Sequence, residues 1–264
     1  MPASRIYLDY NASAPLRPVA RQAMLDALDV TANASSVHAD GRRARQLVEA
    51  ARREVAALVG GAAADVIFTS GATEAASTLL RPDWLMGRGP VRIAHLHVSA
   101  ADHPCTLNGG HFASDAVTVI GVDGEGMIRL DELESALAAH DRATGLALVC
   151  VHAANNETGV IQNMADIGRI AHAAGALTIF DAVQAAGRIP LDITDGCADF
   201  LILSSHKIGG PQGAGAIVSA GGVLMPRALI SGGGQERGHR AGTENVAAIA
   251  GFGAAAREAA AGLA

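Results

Sequence analysis

Short apolar runs alternate with longer stretches of helical periodicity along most of the sequence. Several short runs are apolar almost throughout, as in LALVCVH and FLILS. Strands buried on both faces have this pattern, and they belong to sheets covered by helices on each side. The pattern predicts strands at 66–70, 91–98, 116–122, 146–152, 176–181, 199–204 and 214–219.

The longer stretches place apolar residues on one helical stripe. They predict helices at 42–59 and at 163–174, the second ending at Gly175, and a final Ala-rich helix from about 243. The Pro- and Gly-rich segment 81–90 is predicted to be a short loop. Alternating strands and helices predict an α/β fold of three layers, with helices on both faces of a mainly parallel seven-stranded sheet.

Composition narrows the choice of partners. Half of the 264 residues are hydrophobic, and the net charge is −6 with arginines scattered along the chain, which argues against a nucleic-acid groove. One arginine-rich helical segment also carries glutamates, so it is predicted to be a solvated helix face. Its charged residues are Arg42, Arg43, Arg45, Glu49, Arg52, Arg53 and Glu54.

The sequence also bears on compartment and on metal or disulfide chemistry. The first residues, MPASRIYLDYNAS, contain no apolar segment of signal-peptide length, and no apolar run reaches the roughly 18 residues that span a bilayer. We therefore expect a cytoplasmic protein with no membrane contact. Cys105, Cys150 and Cys197 have neither metal-knuckle nor disulfide-framework spacing. His95 and His97 could bind metal, but no third ligand is evident, so half-buried strand histidines are favoured and no metal site is predicted.

Polar clusters follow four predicted strands. They are 70–74 (SGATE), 155–157 (NNE), Asp181 and 204–207 (SSHK). Because ligands of open α/β sheets bind at the carboxyl ends of strands, we expect these clusters to meet in one site.

Each cluster has a chemical and an ordinary interpretation. The helix start after Ser70 can bind phosphate, or Thr73 can simply cap the helix. Lys207 can form an imine with an aldehyde cofactor, or can be a surface lysine. Asp181 can pair with a protonated pyridine nitrogen, with Gln184 near the ring oxygen, or Asp181 can be a helix cap.

In combination these motifs resemble the cysteine desulfurases of the class V aminotransferase group, which are fold type I pyridoxal-phosphate enzymes. The matching stretches occur in the family's order and cover nearly the whole chain. They are IYLDYNASAPLRP, VIFTSGATEA, ADHPC, VHAANNETGVIQ, FDAVQAAGRIPLDI, LILSSHKIGGPQGAGA and GGGQERGHRAGTENVAAIAG.

The resemblance implies a role for each matched residue. Lys207 is expected to be the imine-forming lysine, Asp181 the partner of the pyridine nitrogen, and His103 the residue stacked on the ring and able to move protons. Gln184 and Asn156 are expected near the ring oxygen. The phosphate is assigned to Ala72, Thr73, Ser204 and His206, and Thr243 to the phosphate of a neighbouring subunit, which implies a homodimer.

The resemblance also implies an activity and a domain organisation. The expected reaction converts L-cysteine to L-alanine and transfers sulfur to an acceptor or scaffold protein, as in iron-sulfur cluster biogenesis. Residues 15–264 would be the cofactor-binding large domain, and 1–14 an arm that in the family belongs to the small domain. The family's C-terminal small domain, with its nucleophilic cysteine and substrate-binding arginine, is expected to be absent, so activity of the chain alone would be impaired.

Two alternatives stay open at this point. One is another pyridoxal-phosphate lyase or aminotransferase that needs no protein thiol, and the other is a non-catalytic dimerisation partner. Cys105 lies two residues after His103 and could approach the cofactor, but nothing in its context indicates a reactive thiol.

Overall fold

A computed structural model describes residues 6–30, 32–222 and 224–263. All seven predicted strands are present, in the order β1-β8-β7-β6-β5-β3-β4, but within the described residues the sheet has nine strands rather than the seven predicted, because two further short strands extend it. Neighbouring strands from β7 through β6, β5 and β3 to β4 pair in parallel, and among these seven β8 alone runs antiparallel to its neighbours β1 and β7. The prediction of a mainly parallel sheet is therefore confirmed. The seven strands are β1 (Val66–Thr69), β3 (Gly89–Ser99), β4 (Val117–Ile120), β5 (Leu146–His152), β6 (Leu177–Asp181), β7 (Phe200–Ser204) and β8 (Gly215–Ser219).

The prediction of a loop at 81–90 is wrong, because this segment forms a β-hairpin. Strand β2 (Asp83–Met86) pairs antiparallel with the first residues of β3, and β9 (Leu224–Pro226) pairs with β2 on the other side. The fully buried Trp84 anchors β2, and its ring meets that of Phe200 edge-on at 5.3 Å. Burial of one large aromatic side chain outweighs the weak strand signal of the surrounding Pro and Gly residues.

Helices cover both faces of the sheet, as predicted. They are α1 (Pro18–Leu28), α2 (Ala39–Leu58), α3 (Ala72–Leu79), α4 (Pro104–Leu107), α5 (Leu130–Ala138), α6 (Met164–Ala173) and α7 (Val246–Ala261). The sheet separates two apolar cores, and successive strand residues alternate between them. Phe180 belongs to the core under α2, α5, α6 and α7, whereas Ile179 belongs to the core under α3 and α4.

The prediction that Arg52 lies on a solvated face is wrong. Arg52 is 4% exposed, and its guanidinium forms two hydrogen bonds to the Glu236 carboxylate, at 2.6 and 2.8 Å. The same carboxylate accepts a hydrogen bond from the Phe68 N–H, and Arg52 lies 4.8 Å from the Phe68 ring centre. Glu236 and Arg237 both adopt positive φ angles, so tertiary contacts hold this turn in a conformation that few residues adopt. The partner is distant in sequence, and α2 alone gives no sign of it.

Neither a membrane-spanning helix nor a metal-binding cluster is found among the described residues. No helix in the three described ranges is both long and apolar enough to cross a membrane. Within those ranges, no group of three His, Cys, Asp or Glu side chains is arranged to hold a metal ion. His95 is half-buried and bonds to Thr118, whereas His97 is buried and has no hydrogen-bond partner for either ring nitrogen.

Candidate active site

A cavity of about 760 Å³ opens at the carboxyl ends of β1, β5, β6 and β7. The four polar clusters predicted from the sequence meet there, as expected for a parallel sheet. Nine of the ten predicted site residues line this cavity: Ala72, Thr73, His103, Asn156, Asp181, Gln184, Ser204, His206 and Lys207. The tenth, Thr243, lies in an adjacent cavity of about 200 Å³, which shares Ser70 and Gly213 with the first.

Lys207 is the single lysine of the 264 residues. It belongs to a 3₁₀ turn directly after β7, and its Nζ donates hydrogen bonds to the backbone carbonyls of Asn11 and Ala12. Partial burial, together with the positive charge of Arg188, lowers the pKa of Lys207. Since a neutral amine is the form that attacks a carbonyl, the site favours the reactive form of this side chain.

Asp181 ends β6 at the base of the cavity and is 7% exposed. The Val183 N–H donates a 3.0 Å hydrogen bond to one carboxylate oxygen. Burial raises the pKa of Asp181 because the charged form is poorly solvated, and the Asp102 charge acts in the same direction. A cationic group in the cavity would relieve this cost by pairing with the carboxylate.

The turn before α3 can bind an anion. Gly71 caps α3 without any side-chain hydrogen bond, so the N–H groups of the first turn remain open to the cavity. A Cβ at Gly71 would meet no atom within 4 Å, whereas a Cβ on Gly215 of β8 would lie 2.6 Å from the Gly71 carbonyl carbon. Strand β8 therefore supports the turn closely from behind while the side facing the cavity stays open. Thr73 lies in this first helical turn and does not cap it.

His103 and His206 lie on either side of the cavity. His103 caps α4, and its Nδ1 accepts a 3.2 Å hydrogen bond from the Cys105 N–H. This bond leaves Nε2 as the protonated nitrogen of the neutral ring. Burial and the nearby Lys207 charge lower the pKa of His206, whose Nδ1 lies 3.3 Å from the Ser13 hydroxyl.

These residues fit pyridoxal phosphate. An open helix start can bind the phosphate, a buried carboxylate can pair with the ring nitrogen, and a partly desolvated lysine can reach the aldehyde. The three features occur in one cavity, whose volume is typical of small-molecule sites.

Comparison with known proteins agrees with this geometry. The aminotransferase class-V family matches residues 6–262. The chain belongs to the aminotransferase class-V family. Curated relatives are the cysteine desulfurases of Frankia sp., 39% identical over 98% of this chain and 63% of the relative, and of Cereibacter sphaeroides, 42% identical over 96% and 64%. The chain thus spans slightly less than two thirds of the length of these relatives.

Solved structures in this family have the same fold. The NifS-like protein from Rickettsia africae superposes with a TM-score of 0.87 at 36% identity, covering 98% of this chain and 70% of that one. SspA in complex with cysteine superposes with a TM-score of 0.81 at 30% identity, covering 96% and 72%. Fold type I, predicted from the resemblance, is therefore confirmed.

An N-terminal segment that sequence reasoning did not assign to the cavity lies over it. The carbonyl of Asn11 accepts hydrogen bonds from Lys207 and from Gln184 Nε2, and its side-chain amide donates to the Asn156 carbonyl at 2.9 Å. Arg188 bonds to the Asn11 side chain and to the Tyr10 carbonyl. The only sequence signal was the IYLDYNAS motif, which carries no chemistry of its own.

Two further cavity residues have no assigned role. Cys105 faces the cavity, but burial raises the pKa of its thiol to about 12, and the charges of Asp181 and Asp102 act in the same direction. His152, at the end of β5, also lines the cavity. The other two cysteines, Cys150 and Cys197, are buried core residues.

Proposed function

We propose that this chain is a pyridoxal-phosphate-dependent cysteine desulfurase, which removes sulfur from L-cysteine to leave L-alanine. The observation that carries the proposal is the convergence of one lysine amine, one buried carboxylate and one open helix start in a single cavity. Family membership and the names of its relatives support the same activity.

The positions of the cavity residues support a separate role for each of them in holding the cofactor. The N–H groups at the start of α3, with Thr73, Ser204 and His206, would hold the phosphate. Asp181 would pair with the ring nitrogen, and Gln184 and Asn156 would hold the ring oxygen. Bound there, the cofactor supplies an electron-withdrawing ring that stabilises negative charge on the substrate Cα.

Two side chains can move protons. The lowered pKa of Lys207 would suit its Nζ to accept a proton from the substrate Cα. His103 has its Nδ1 fixed by the Cys105 N–H, so its Nε2 can donate a proton in the cavity. Asp9, Asn11 and Ala12 line the same cavity, and the Asn11 and Ala12 carbonyls accept hydrogen bonds from Lys207 Nζ.

Sulfur transfer needs an acceptor thiol. In the proposed step, the acceptor sulfur bonds to the cysteine sulfur, the carbon–sulfur bond breaks, and the acceptor becomes a persulfide while alanine keeps the carbon skeleton. Cys105 is the cysteine that faces the cavity, and its raised pKa keeps it as an unreactive thiol. We therefore expect turnover to depend on a thiol supplied from outside these 264 residues.

This state of Cys105 favours one alternative function. A lyase that eliminates sulfide from cysteine, and leaves pyruvate and ammonia, needs no protein thiol.

One product analysis separates the two functions. Purified chain loaded with pyridoxal phosphate should form alanine from L-cysteine, with the rate rising when dithiothreitol is added as sulfur acceptor. Pyruvate formation independent of dithiothreitol would support the lyase, and Lys207→Ala should abolish either product.

We also propose a homodimer. Thr243 is exposed and lies outside the main cavity, so within one subunit it has no part in that site. Helix α1 and residues 6–10 carry exposed apolar side chains: Ile6, Tyr7, Leu8, Tyr10, Val19, Leu25 and Leu28. Light scattering should give twice the chain mass, and Thr243→Ala should weaken cofactor binding without unfolding the protein.

A further inference from the structure

Behind the cavity lies a chain of three buried polar side chains that the proposed chemistry does not use. Asp102, His152 and Gln162 are all nearly inaccessible to solvent. His152 Nδ1 lies 2.6 Å from Asp102 Oδ1, and His152 Nε2 lies 3.1 Å from Gln162 Nε2. His152 pairs in register with Asp181 on the neighbouring strand and lines the cavity, so the middle member of these three lies at the base of the cavity.

The hydrogen bonds fix where the protons are. Gln162 Oε1 accepts from the Ile128 N–H and Gln162 Nε2 donates to the Gly126 carbonyl, so the amide has one possible orientation. Its NH₂ group therefore donates to His152 Nε2, which must carry the lone pair. The proton of the neutral imidazole is then on Nδ1, and it is donated to Asp102.

Asp102 is surrounded by donors. Its two oxygens accept from the Ser99 N–H at 2.9 Å, from the His152 N–H at 2.9 Å and from His152 Nδ1. Three donors satisfy a carboxylate anion, and no acceptor in the described contacts of Asp102 calls for a protonated acid. Its side chain has no solvent exposure, so water does not screen this charge.

We propose that Asp102 is a second carboxylate of the cofactor site: an anion held behind His152 that adds to the negative potential at the base of the cavity and favours a protonated nitrogen on the cofactor ring. The inference rests on the proposed function. Asp102 does not reach the cavity, so it is a positioning residue that acts together with Asp181.

Other charges around Asp181 are few. His103 and Cys105 face it from α4, His152 from β5, and Lys207 from the turn after β7. Burial is the main cause that raises the pKa of Asp181, and Asp102 is the carboxylate whose charge acts in the same direction. Asp102 also lies next to His103 in the chain, so the bonds that hold the anion fix the segment that carries the stacking residue.

The first test needs no cofactor. Carbon-13 NMR of the cofactor-free chain gives the titration of Asp181 in wild type and in Asp102→Asn. Removal of the nearby anion should produce about a tenfold increase in the acid dissociation constant of Asp181. The matched control is Asp199→Asn, which removes another histidine-paired carboxylate, bonded to His172 at the opposite edge of the sheet, and should leave Asp181 unchanged. An unchanged titration in Asp102→Asn would overturn the proposal.

The second test measures the dissociation constant of pyridoxal phosphate by absorbance. Asp102→Asn should weaken binding roughly tenfold, and Asp102→Glu, which keeps the charge, should stay within about threefold of wild type. In an Asp181→Asn background, Asp102→Asn should add less than about twofold, because the two carboxylates act on the same ring nitrogen. Equal, additive losses in both backgrounds would contradict the inference.

The outcomes separate the two proposals. If wild type binds the cofactor and Asp102→Asn binds equally well, the inference fails and the proposed function stands. If wild type binds no cofactor, both fail. If Asp102→Asn does not fold, the carboxyl carbon signal of Asp102 in wild type decides, since a protonated Asp102 at neutral pH would overturn the proposal and an ionised one supports it.

Discussion

At the scale of single residues, Asp181 and His97 are both buried titratable groups, and burial shifts the pKa of each in the direction that favours its neutral form. Asp181 faces a cavity in which a cationic partner can bind, whereas neither ring nitrogen of the buried His97 has a hydrogen-bond partner in the part of the chain that the structure describes. Both side chains therefore reduce the stability of the cofactor-free fold when they are charged.

Replacement of Asp181 by Asn should stabilise the cofactor-free protein at neutral pH. The folded pKa is raised, so the folded state holds its proton more tightly than the unfolded state, and stability is lost as pH rises through the folded pKa. Asn keeps the acceptor for the Val183 N–H without the buried charge. Urea denaturation should give a gain of about 1 kcal/mol at pH 7 and little change near pH 3. A lower stability at pH 7 would contradict this prediction.

His97 should control part of the acid sensitivity. Burial, with the nearby His95 and His140, lowers its pKa to about 4, while the unfolded chain takes up a proton near pH 6.5. Stability contributed by the neutral ring is therefore lost as pH falls from about 6.5 to about 4, by up to about 3 kcal/mol. In His97→Leu this part of the pH dependence should vanish. His111→Leu, an exposed histidine, is the control and should keep it.

At the scale of elements, the sequence predicted those whose packing follows from local pattern. The seven strands of the main sheet and the helices α2, α6 and α7 have clear apolar periodicity, and their predicted and observed ends differ by at most three residues. Strands β2 and β9 were not predicted because the Pro and Gly residues beside them weaken the strand signal, and because tertiary burial of Trp84 stabilises them. The burial of Arg52 was not predicted either, because its partner Glu236 belongs to a turn that is distant in the sequence.

The ion pair between Arg52 and Glu236 joins α2 to that turn. Arg52→Ala should lower the free energy of unfolding by about 3–5 kcal/mol, because it leaves a buried carboxylate without its counter-charge. Arg53→Ala on the same helix removes an exposed arginine and should change stability by less than about 0.5 kcal/mol. If urea denaturation gave the same loss in the free energy of unfolding for both substitutions, the prediction for the buried pair would be wrong.

At the scale of the whole molecule, the site forms because parallel strands bring distant segments to one edge. The strand-end clusters contain seven of the nine predicted residues that line the cavity, whereas Gln184 lies beyond them and His103 is predicted from the family resemblance alone. The sequence could not predict residues 9–12 above the cavity or the Asp102–His152–Gln162 chain behind it. Their roles depend on hydrogen bonds between segments that no periodicity links, as between Asn11 and Lys207 or between Asp102 and His152.

The central claim is that the single lysine forms an imine with an aldehyde cofactor, and one labelling experiment tests it directly. The 264 residues contain two amines, the N-terminus and Lys207, so the product has few possible locations. The chain is incubated with pyridoxal phosphate, reduced with borohydride, digested and analysed by mass spectrometry. We expect one stoichiometric adduct on the peptide that contains Lys207, lost in Lys207→Ala and weakened in Asp181→Asn. An adduct on the N-terminus alone, or no adduct, would contradict it.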